Sequence, residues 1–198
     1  MSENELVLII DFGSPYNQQL TRKVRELGVY SELHPHTITA EKLKTLNPKA
    51  IILSGGPYYV ADENKYRVDD TIFTSDIPVL GICYGAQLIA EHYGGAVARE
   101  AERTYETKTL TLEKGSTLYK DVQAQTSVHM SKGDTITNVP ETFTVDGRAS
   151  DGGIVSFYDE RLLAYGIQFH PEVSGTEAGD HILRNFLFAV SDCAGDWS

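Results

Sequence analysis

The first half of the chain alternates short apolar runs with segments in which apolar residues recur at helical spacing. The runs are unbroken, a pattern typical of strands that are buried on both faces of a sheet. The segments between them have the three- or four-residue spacing of helices, and glycine follows several of them as a stop signal. The predicted strands cover residues 6–10, 29–33, 50–53 and 77–82, and the predicted helices cover residues 20–27, 40–46 and 86–93.

The pattern changes from about Thr107, where the apolar segments become shorter and turns separate them. Strand–helix alternation in the first half requires parallel strands joined by crossover connections, whereas the short segments of the second half favour antiparallel pairing. We therefore expect a three-layer α/β domain, with a central, mostly parallel sheet, helices on both faces and some antiparallel strands. In the second half, strands are predicted at residues 109–112, 142–146, 154–158 and 162–168, and a helix at residues 176–190.

Composition and charge narrow the classes of function. A chain of 198 residues with 41% hydrophobic residues is expected to form one globular domain. Its 17 basic and 28 acidic residues give a net charge of −11, which argues against nucleic acids and anionic membranes as partners. The sequence shows neither a secretion signal nor an apolar run of membrane-spanning length. Two cysteines cannot form a disulfide framework, so a reduced, cytoplasmic protein is expected.

Cys83 is the residue with the most informative surroundings. It lies between a predicted buried strand and a predicted helix, in the sequence Gly81-Ile82-Cys83-Tyr84-Gly85. Small residues two positions either side of the centre are typical of a nucleophile elbow, a sharp turn that lifts the central side chain out of the sheet. The helix N-terminus would then lower the pKa of the thiol. The alternative is a small, inert core residue.

A cysteine nucleophile needs a histidine base that a third group orients. His170 is the best placed of six histidines, because it directly follows the apolar segment at residues 162–169 and precedes Pro171. Glu172 is two residues further on, on the same side of an extended chain. Its carboxylate could hold one imidazole nitrogen while the other faces the thiol. His129, near a predicted strand end, is a second candidate.

The segment Ser54-Gly55-Gly56-Pro57 also follows a buried strand, and three interpretations are open. It could cradle a phosphate, but it lacks the Lys-Ser/Thr pair of a P-loop. It could be a turn in which the N–H of Gly56 joins that of Tyr84 in stabilising an oxyanion. It could also be a plain loop. No cysteine or histidine pairs have zinc-site spacing, so no metal site is predicted.

Three motifs, each after a predicted strand, together resemble the class I, or triad-type, glutamine amidotransferases. They are residues 53–57, 81–87 and 166–172. Further segments resemble those members of the family that deliver ammonia to an ATP-pyrophosphatase synthetase domain. These are residues 11–14, 25–30, 130–134, 182–186 and 193–198.

The resemblance implies that Cys83, His170 and Glu172 form a triad that hydrolyses L-glutamine to glutamate and ammonia. The N–H groups of Gly56 and Tyr84 are then expected to hold the oxyanion. It also implies a substrate-binding set that contacts the carboxamide and, through the backbone of a loop, the amino-acid end of glutamine: Gln87, Ser131, Gly133 and Asp134.

The resemblance also implies a division of the chain. Residues 1–190 would be the amidotransferase domain, and residues 191–198 would start a linker to the synthetase domain of the same enzyme. That partner domain would bind ATP, Mg²⁺ and xanthosine monophosphate (XMP), and would use the ammonia to aminate XMP in purine nucleotide biosynthesis. No cofactor is expected in this chain itself, and a homodimer is an open expectation for the complete enzyme.

Three alternatives stay open. The chain could serve another acceptor, such as chorismate or UTP, or it could be a regulatory module that is silent without its partner. It could also be a thiol hydrolase or peptidase of similar fold, against which Gln87 argues. The chain departs from the family pattern at Pro15, Lys132, Thr104-Tyr105-Glu106-Thr107 and Ser174-Gly175-Thr176. The changes at Lys132 and Glu106-Thr107 bear on the substrate loop and on the contact with the synthetase domain.

Overall fold

The computed structural model describes residues 5–60, 62, 66–113 and 115–198, except for the side chains of residues 100–103 and 131–133. The strands are β1 Leu6–Asp11, β2 Tyr30–Pro35, β3 Ala50–Leu53, β4 Val79–Ile82, β5 Ala96–Leu112, β6 Gln125–Asn138, β7 Thr144–Ala149, β8 Ile154–Asp159 and β9 Ala164–Ile167. The helices are α1 Asn17–Glu26, α2 Ala40–Leu46, α3 Thr71–Thr74, α4 Tyr84–His92 and α5 Gly179–Arg184. A 3₁₀ turn spans Thr117–Tyr119, and α5 continues as a π-helical segment, Asn185–Val190.

The described strands form one sheet in the order β2-β1-β3-β4-β9-β8-β7-β5-β6. The first five strands in this order are parallel to one another, and the remaining pairs are antiparallel. Neighbouring residues of the central strands belong to separate core clusters: Val7 and Ile9 pack on one face, and Leu8 and Ile10 on the other. Because each face is covered by helices, the predicted three-layer α/β fold is confirmed.

The two faces are covered by different helices. One core cluster includes Leu20 of α1 and Ile182 of α5, and the other includes Leu43 of α2 and Ile89 of α4. These apolar residues lie on helix faces that the spacing pattern predicts. Burial of those faces against the apolar surface of the sheet accounts for the packing of both helix layers.

The largest difference from the sequence prediction is a long antiparallel hairpin. The pattern predicts a strand only at residues 109–112, whereas β5 extends back to Ala96 and pairs with β6 over most of its length. Residues 131–134, expected to form a loop, lie within β6. Helix α3 was not predicted, and the last helix begins at Gly179 rather than at Thr176.

Residues 191–198, predicted to be the start of a linker, pack on the domain. The Trp197 N–H donates to the Gly28 carbonyl over 2.9 Å, and the Trp197 ring lies 5.6 Å from that of Tyr30. Cys193 is 7% exposed, and burial raises the pKa of its thiol to about 12. The boundary at residue 190 stays a prediction. No helix in the described residues is both long enough and apolar enough to cross a membrane.

Candidate active site

The adjacent parallel strands β4 and β9 bring the proposed nucleophile and base together. Ile82, the last residue of β4, is in register with Ile167, the last residue of β9. The N–H of Cys83 donates to the Ile167 carbonyl over 2.8 Å, which continues the pairing by one residue. The segments that carry Cys83 and His170 therefore emerge side by side at the carboxyl edge of the sheet, where α/β proteins place their ligands.

Cys83 has the strained backbone of a nucleophile elbow. Its φ of 54° and ψ of −107° are unusual for a residue with a side chain, and α4 begins at the next residue. The flanking glycines are required by close packing. A Cβ at Gly81 would lie 2.5 Å from the Gly85 carbonyl carbon, and one at Gly85 would lie 2.3 Å from the Leu53 oxygen. The sequence therefore fixes Cys83 at the N-terminus of α4.

His170 and Glu172 form a buried pair. The Nδ1 atom of His170 lies 2.6 Å from Oε1 of Glu172, and both side chains are 2–3% exposed. Burial by itself would lower the pKa of His170. Hydrogen bonds and charge from Cys83 and Glu172 outweigh it and raise that pKa to about 10. Since Nδ1 is bound to Glu172, Nε2 is the ring nitrogen left to face Cys83.

The loop after β3 packs against Cys83 and His170. A Cβ at Gly55 would lie 2.8 Å from Cε1 of His170 and 3.4 Å from Cβ of Cys83, so only glycine leaves room for both side chains. Ser54 shapes the loop, because its hydroxyl accepts from the Phe12 N–H and donates to the Gly55 carbonyl, each over 2.9 Å. This geometry favours a loop that forms part of the nucleophile site over a loop that cradles a phosphate.

The two proposed oxyanion donors directly follow Cys83 and Gly55 in the chain. Tyr84 is the first residue of α4, so its N–H has no acceptor within the helix. Its phenol is turned away and donates to the Tyr66 carbonyl over 2.6 Å. Gly56 follows Gly55 and packs against Phe12, whose oxygen would lie 2.1 Å from a Cβ there. Their roles as oxyanion donors stay predictions.

The predicted substrate-binding residues are only partly described. Gln87 is 1% exposed and lies one helical turn beyond Cys83. Asp134 lies in β6 and borders, with Gln168, a cavity of about 50 Å³. The backbone of Ser131 and Gly133 belongs to β6, but their side chains lie outside the described residues.

Three aromatic side chains lie around His170: His129, which the sequence indicates as a second candidate base, and two tyrosines that carry no sequence signal for the site. The Tyr16 ring meets the His170 ring edge-on at 5.2 Å, and the Tyr105 ring stacks on His129 at 5.8 Å. The His129 and His170 rings are 6.4 Å apart. Burial, together with the charge of His170, lowers the pKa of His129, and the charge of Glu172 offsets part of this effect. His129 is thus a neutral neighbour of the candidate base.

The backbone of His170 is fixed by Thr176. The Thr176 hydroxyl donates to the His170 carbonyl over 2.6 Å and accepts from the His129 N–H over 3.0 Å. The His170 N–H in turn donates to the His129 carbonyl over 2.8 Å. These bonds tie β6 to the segment after β9, so the hairpin holds the base in place. No sequence signal identified this role for Thr176.

The site is closed, because the Cys83, His170 and Glu172 residues are only 1–2% exposed. Within the part of the chain that the structure describes, no three His, Cys, Asp or Glu residues could together hold a metal ion. The elbow cysteine, the histidine and the carboxylate form an arrangement suited to nucleophilic attack on an amide or ester carbonyl.

The chain belongs to the glutamine amidotransferase class-I family, whose model matches residues 8–190. This confirms the class of protein that the three motifs predict. Among the curated relatives, bacterial GMP synthases match nearly the whole of this chain. The GMP synthase [glutamine-hydrolyzing] of Bacillus subtilis is 50% identical over 197 residues, 98% of this chain and 38% of that protein. That of Oceanobacillus iheyensis is 50% identical over 198 residues, 100% of this chain and 39% of that protein. The chain thus spans about two fifths of the length of these relatives.

Solved structures agree with this assignment. A Thermoplasma acidophilum protein, described as one subunit of a GMP synthase, has a TM-score of 0.84 and 27% identity, over 98% of this chain and 96% of that chain. PurLQS from Thermotoga maritima has a TM-score of 0.74 and 16% identity, over 93% of this chain and 98% of that chain, and supports the fold alone.

Proposed function

We propose that the chain is the glutaminase half of a GMP synthase. It would hydrolyse L-glutamine and supply ammonia for the amination of XMP to GMP. The observation that carries the proposal is the elbow Cys83 beside a buried His170–Glu172 pair, in a chain whose relatives are glutamine-hydrolysing GMP synthases. The identity of the acceptor rests on those relatives.

The proposed reaction begins at the N-terminus of α4, where the thiolate of Cys83 is stabilised by the helix and by the His170 imidazolium. The sulfur attacks the carboxamide carbon of glutamine, and the N–H groups of Gly56 and Tyr84 bind the resulting oxyanion. His170 then transfers its proton to the leaving nitrogen. Ammonia departs, and a glutamyl thioester remains on Cys83.

The second half of the reaction releases glutamate. Neutral His170 takes a proton from water as the water oxygen attacks the thioester carbon. The carbon–sulfur bond breaks, glutamate leaves and the thiolate–imidazolium pair is restored. Glu172 holds His170 in one orientation throughout and stabilises its charged form.

The relatives are more than twice as long as this chain, which supports a synthetase domain of the same enzyme as the partner. ATP, Mg²⁺ and XMP would bind to that domain. An amidotransferase that serves chorismate or UTP, and a module that is silent without its partner, are the competing functions. Cytoplasmic location and a homodimer of the complete enzyme stay predictions.

The decisive experiment measures glutamate released from glutamine by the 198-residue chain, alone and with a separately purified GMP synthase ATP-pyrophosphatase domain. We expect release in at least the second condition, and GMP when XMP, ATP and Mg²⁺ are present. Cys83→Ala should abolish release and keep the far-ultraviolet circular dichroism spectrum. No release in either condition would support the silent module, and release without GMP would favour another acceptor.

A matched test uses the two cysteines of the chain. A chloroketone analogue of glutamine should alkylate Cys83, whereas Cys193 should stay unmodified because burial raises its thiol pKa to about 12. Peptide mass spectrometry locates the adduct. An adduct mainly on Cys193 would contradict the assignment of the nucleophile.

A further inference from the structure

Gln168 makes a buried contact with the residue that is expected to bind the substrate amide. The Nε2 atom of Gln87 donates to Oε1 of Gln168 over 3.3 Å, and the two residues are 1% and 3% exposed. The Gln168 backbone is fixed as well, since its N–H donates to the Val155 carbonyl over 2.8 Å. A rigid strand end thus holds one side of the Gln87 carboxamide.

The Gln87–Gln168 contact joins the same two elements as the Cys83–His170 pair, one helical turn further along α4. Gln87 is four residues after Cys83, on the same face of α4 one turn further along. Gln168 is two residues before His170, on the same side of an extended segment. The helix and the segment after β9 therefore face each other through two pairs, Cys83 with His170 and Gln87 with Gln168.

The hydrogen bond leaves the oxygen of Gln87 without a partner. Oε1 of Gln87 is buried and accepts no hydrogen bond from any described residue. A buried acceptor without a donor is costly, and such atoms are uncommon unless they have a ligand to bind. Because Gln168 takes up the N–H₂ end of Gln87, the free group is an acceptor, which matches the N–H₂ of a carboxamide substrate.

We propose that Gln168 is a positioning residue that holds Gln87 so that its Oε1 accepts a hydrogen bond from the carboxamide N–H₂ of glutamine. The inference rests on the proposed function, because it takes glutamine as the substrate. Gln168 thereby helps the site to bind carboxamides in preference to compounds that lack the N–H₂ donor.

The test compares two ligands on Gln168→Met, which keeps the length of the side chain and removes the acceptor. Glutamine in excess should protect Cys83 from iodoacetamide about tenfold less well than in the unmodified chain, roughly the effect of one hydrogen bond. A chloroketone analogue that has the amino-acid end of glutamine but no carboxamide N–H₂ should alkylate Cys83 at an unchanged rate.

Two further variants complete the design. Gln168→Glu keeps an acceptor of the same length and should restore protection by glutamine to within about threefold. Gln18→Met, on the exposed side of α1, is the matched control and should leave both measurements unchanged. If Gln168→Met lost protection and chloroketone alkylation equally, the role of Gln168 would be merely structural and the inference would be overturned. Unchanged protection in Gln168→Met would also overturn it. Failure of the proposed function is distinguishable, because glutamine would then give no protection in the unmodified chain.

Discussion

Two neighbouring residues counteract the effect of burial on the pKa of His170. A buried imidazole normally loses its proton, because the protein interior disfavours the charged form. Here the Glu172 carboxylate lies 2.6 Å from Nδ1, and the Cys83 thiol interacts with the ring, so the pKa of His170 rises to about 10 instead. The charged imidazolium in turn favours the thiolate, which is the reactive form of Cys83.

We predict that Glu172→Gln lowers kcat for glutamine hydrolysis by about 10²–10⁴-fold. The carboxylate raises the pKa of His170, so its removal lowers that pKa and destabilises the thiolate–imidazolium pair. In the unmodified chain, the rate of Cys83 alkylation by iodoacetamide should vary little between pH 6 and 9. In the variant, it should be slower at pH 6 and rise with pH.

Glu177→Gln, which changes an exposed carboxylate close in sequence, is the control for this prediction. It should leave the rate and its pH profile unchanged. A Glu172→Gln variant with an unaltered alkylation profile would show that Glu172 does not stabilise the imidazolium.

The sequence indicates the three candidate triad residues and His129, but not the two tyrosine rings beside His170. Cys83 and His170 each follow a recognisable apolar run and are flanked by glycine or proline, so their local signals are strong. His129 and Tyr105 approach His170 only because β5 and β6 pair, and Tyr16 only because the β1–α1 turn lies over the same edge. Contacts between residues distant in the chain leave no local pattern to detect.

At the scale of elements, the parallel half of the sheet was predicted and the β5–β6 hairpin was not. Buried central strands consist of continuous apolar runs, as in β1 and β3. Strand β5 carries many Thr, Glu and Arg residues, and β6 carries Thr, Ser, Lys and Asp. A polar strand exposed on one face resembles a loop in composition. Pairing between β5 and β6, rather than the burial of either alone, stabilises these strands.

Strand β7 contains a buried acid that should make stability depend on pH. Asp146 is fully buried, and this burial raises the pKa of its carboxyl to about 6. The folded state therefore prefers the protonated acid. This contribution to stability is complete below the pKa of the unfolded chain, near 3.8, and is lost as the pH rises through about 6.

We predict that Asp146→Asn, which is neutral at every pH, becomes more stable relative to the unmodified chain as the pH rises from 4 to 7. The difference should reach about 2–3 kcal/mol at most. Urea unfolding at each pH, followed by tryptophan fluorescence or circular dichroism, measures it. Asp76→Asn is a suitable control because Asp76 is exposed, and asparagine tolerates its φ of 56° equally well. A constant difference across this pH range would contradict the raised pKa.

At the scale of the whole molecule, the C-terminal segment and the candidate active site lie at opposite edges of the sheet. Cys83 and His170 follow the carboxyl ends of β4 and β9. Trp197 contacts Gly28 and Tyr30 instead, at the amino end of β2, which runs parallel to both strands. The segment can therefore contribute to stability without touching the reacting groups.

Gly28 allows this close packing, because a Cβ there would lie 2.6 Å from the Gly195 oxygen and its φ is +94°. We predict that Trp197→Ala lowers the free energy of unfolding by about 1–2 kcal/mol, since a large ring that is partly buried would be lost. The rate of Cys83 alkylation should stay unchanged, because the site lies at the other edge of the sheet. Asp196→Ala, at an exposed neighbour, should alter neither quantity. An unchanged urea midpoint in Trp197→Ala would mean that the segment behaves as a free tail in solution, whereas slower alkylation would mean that the two edges are coupled.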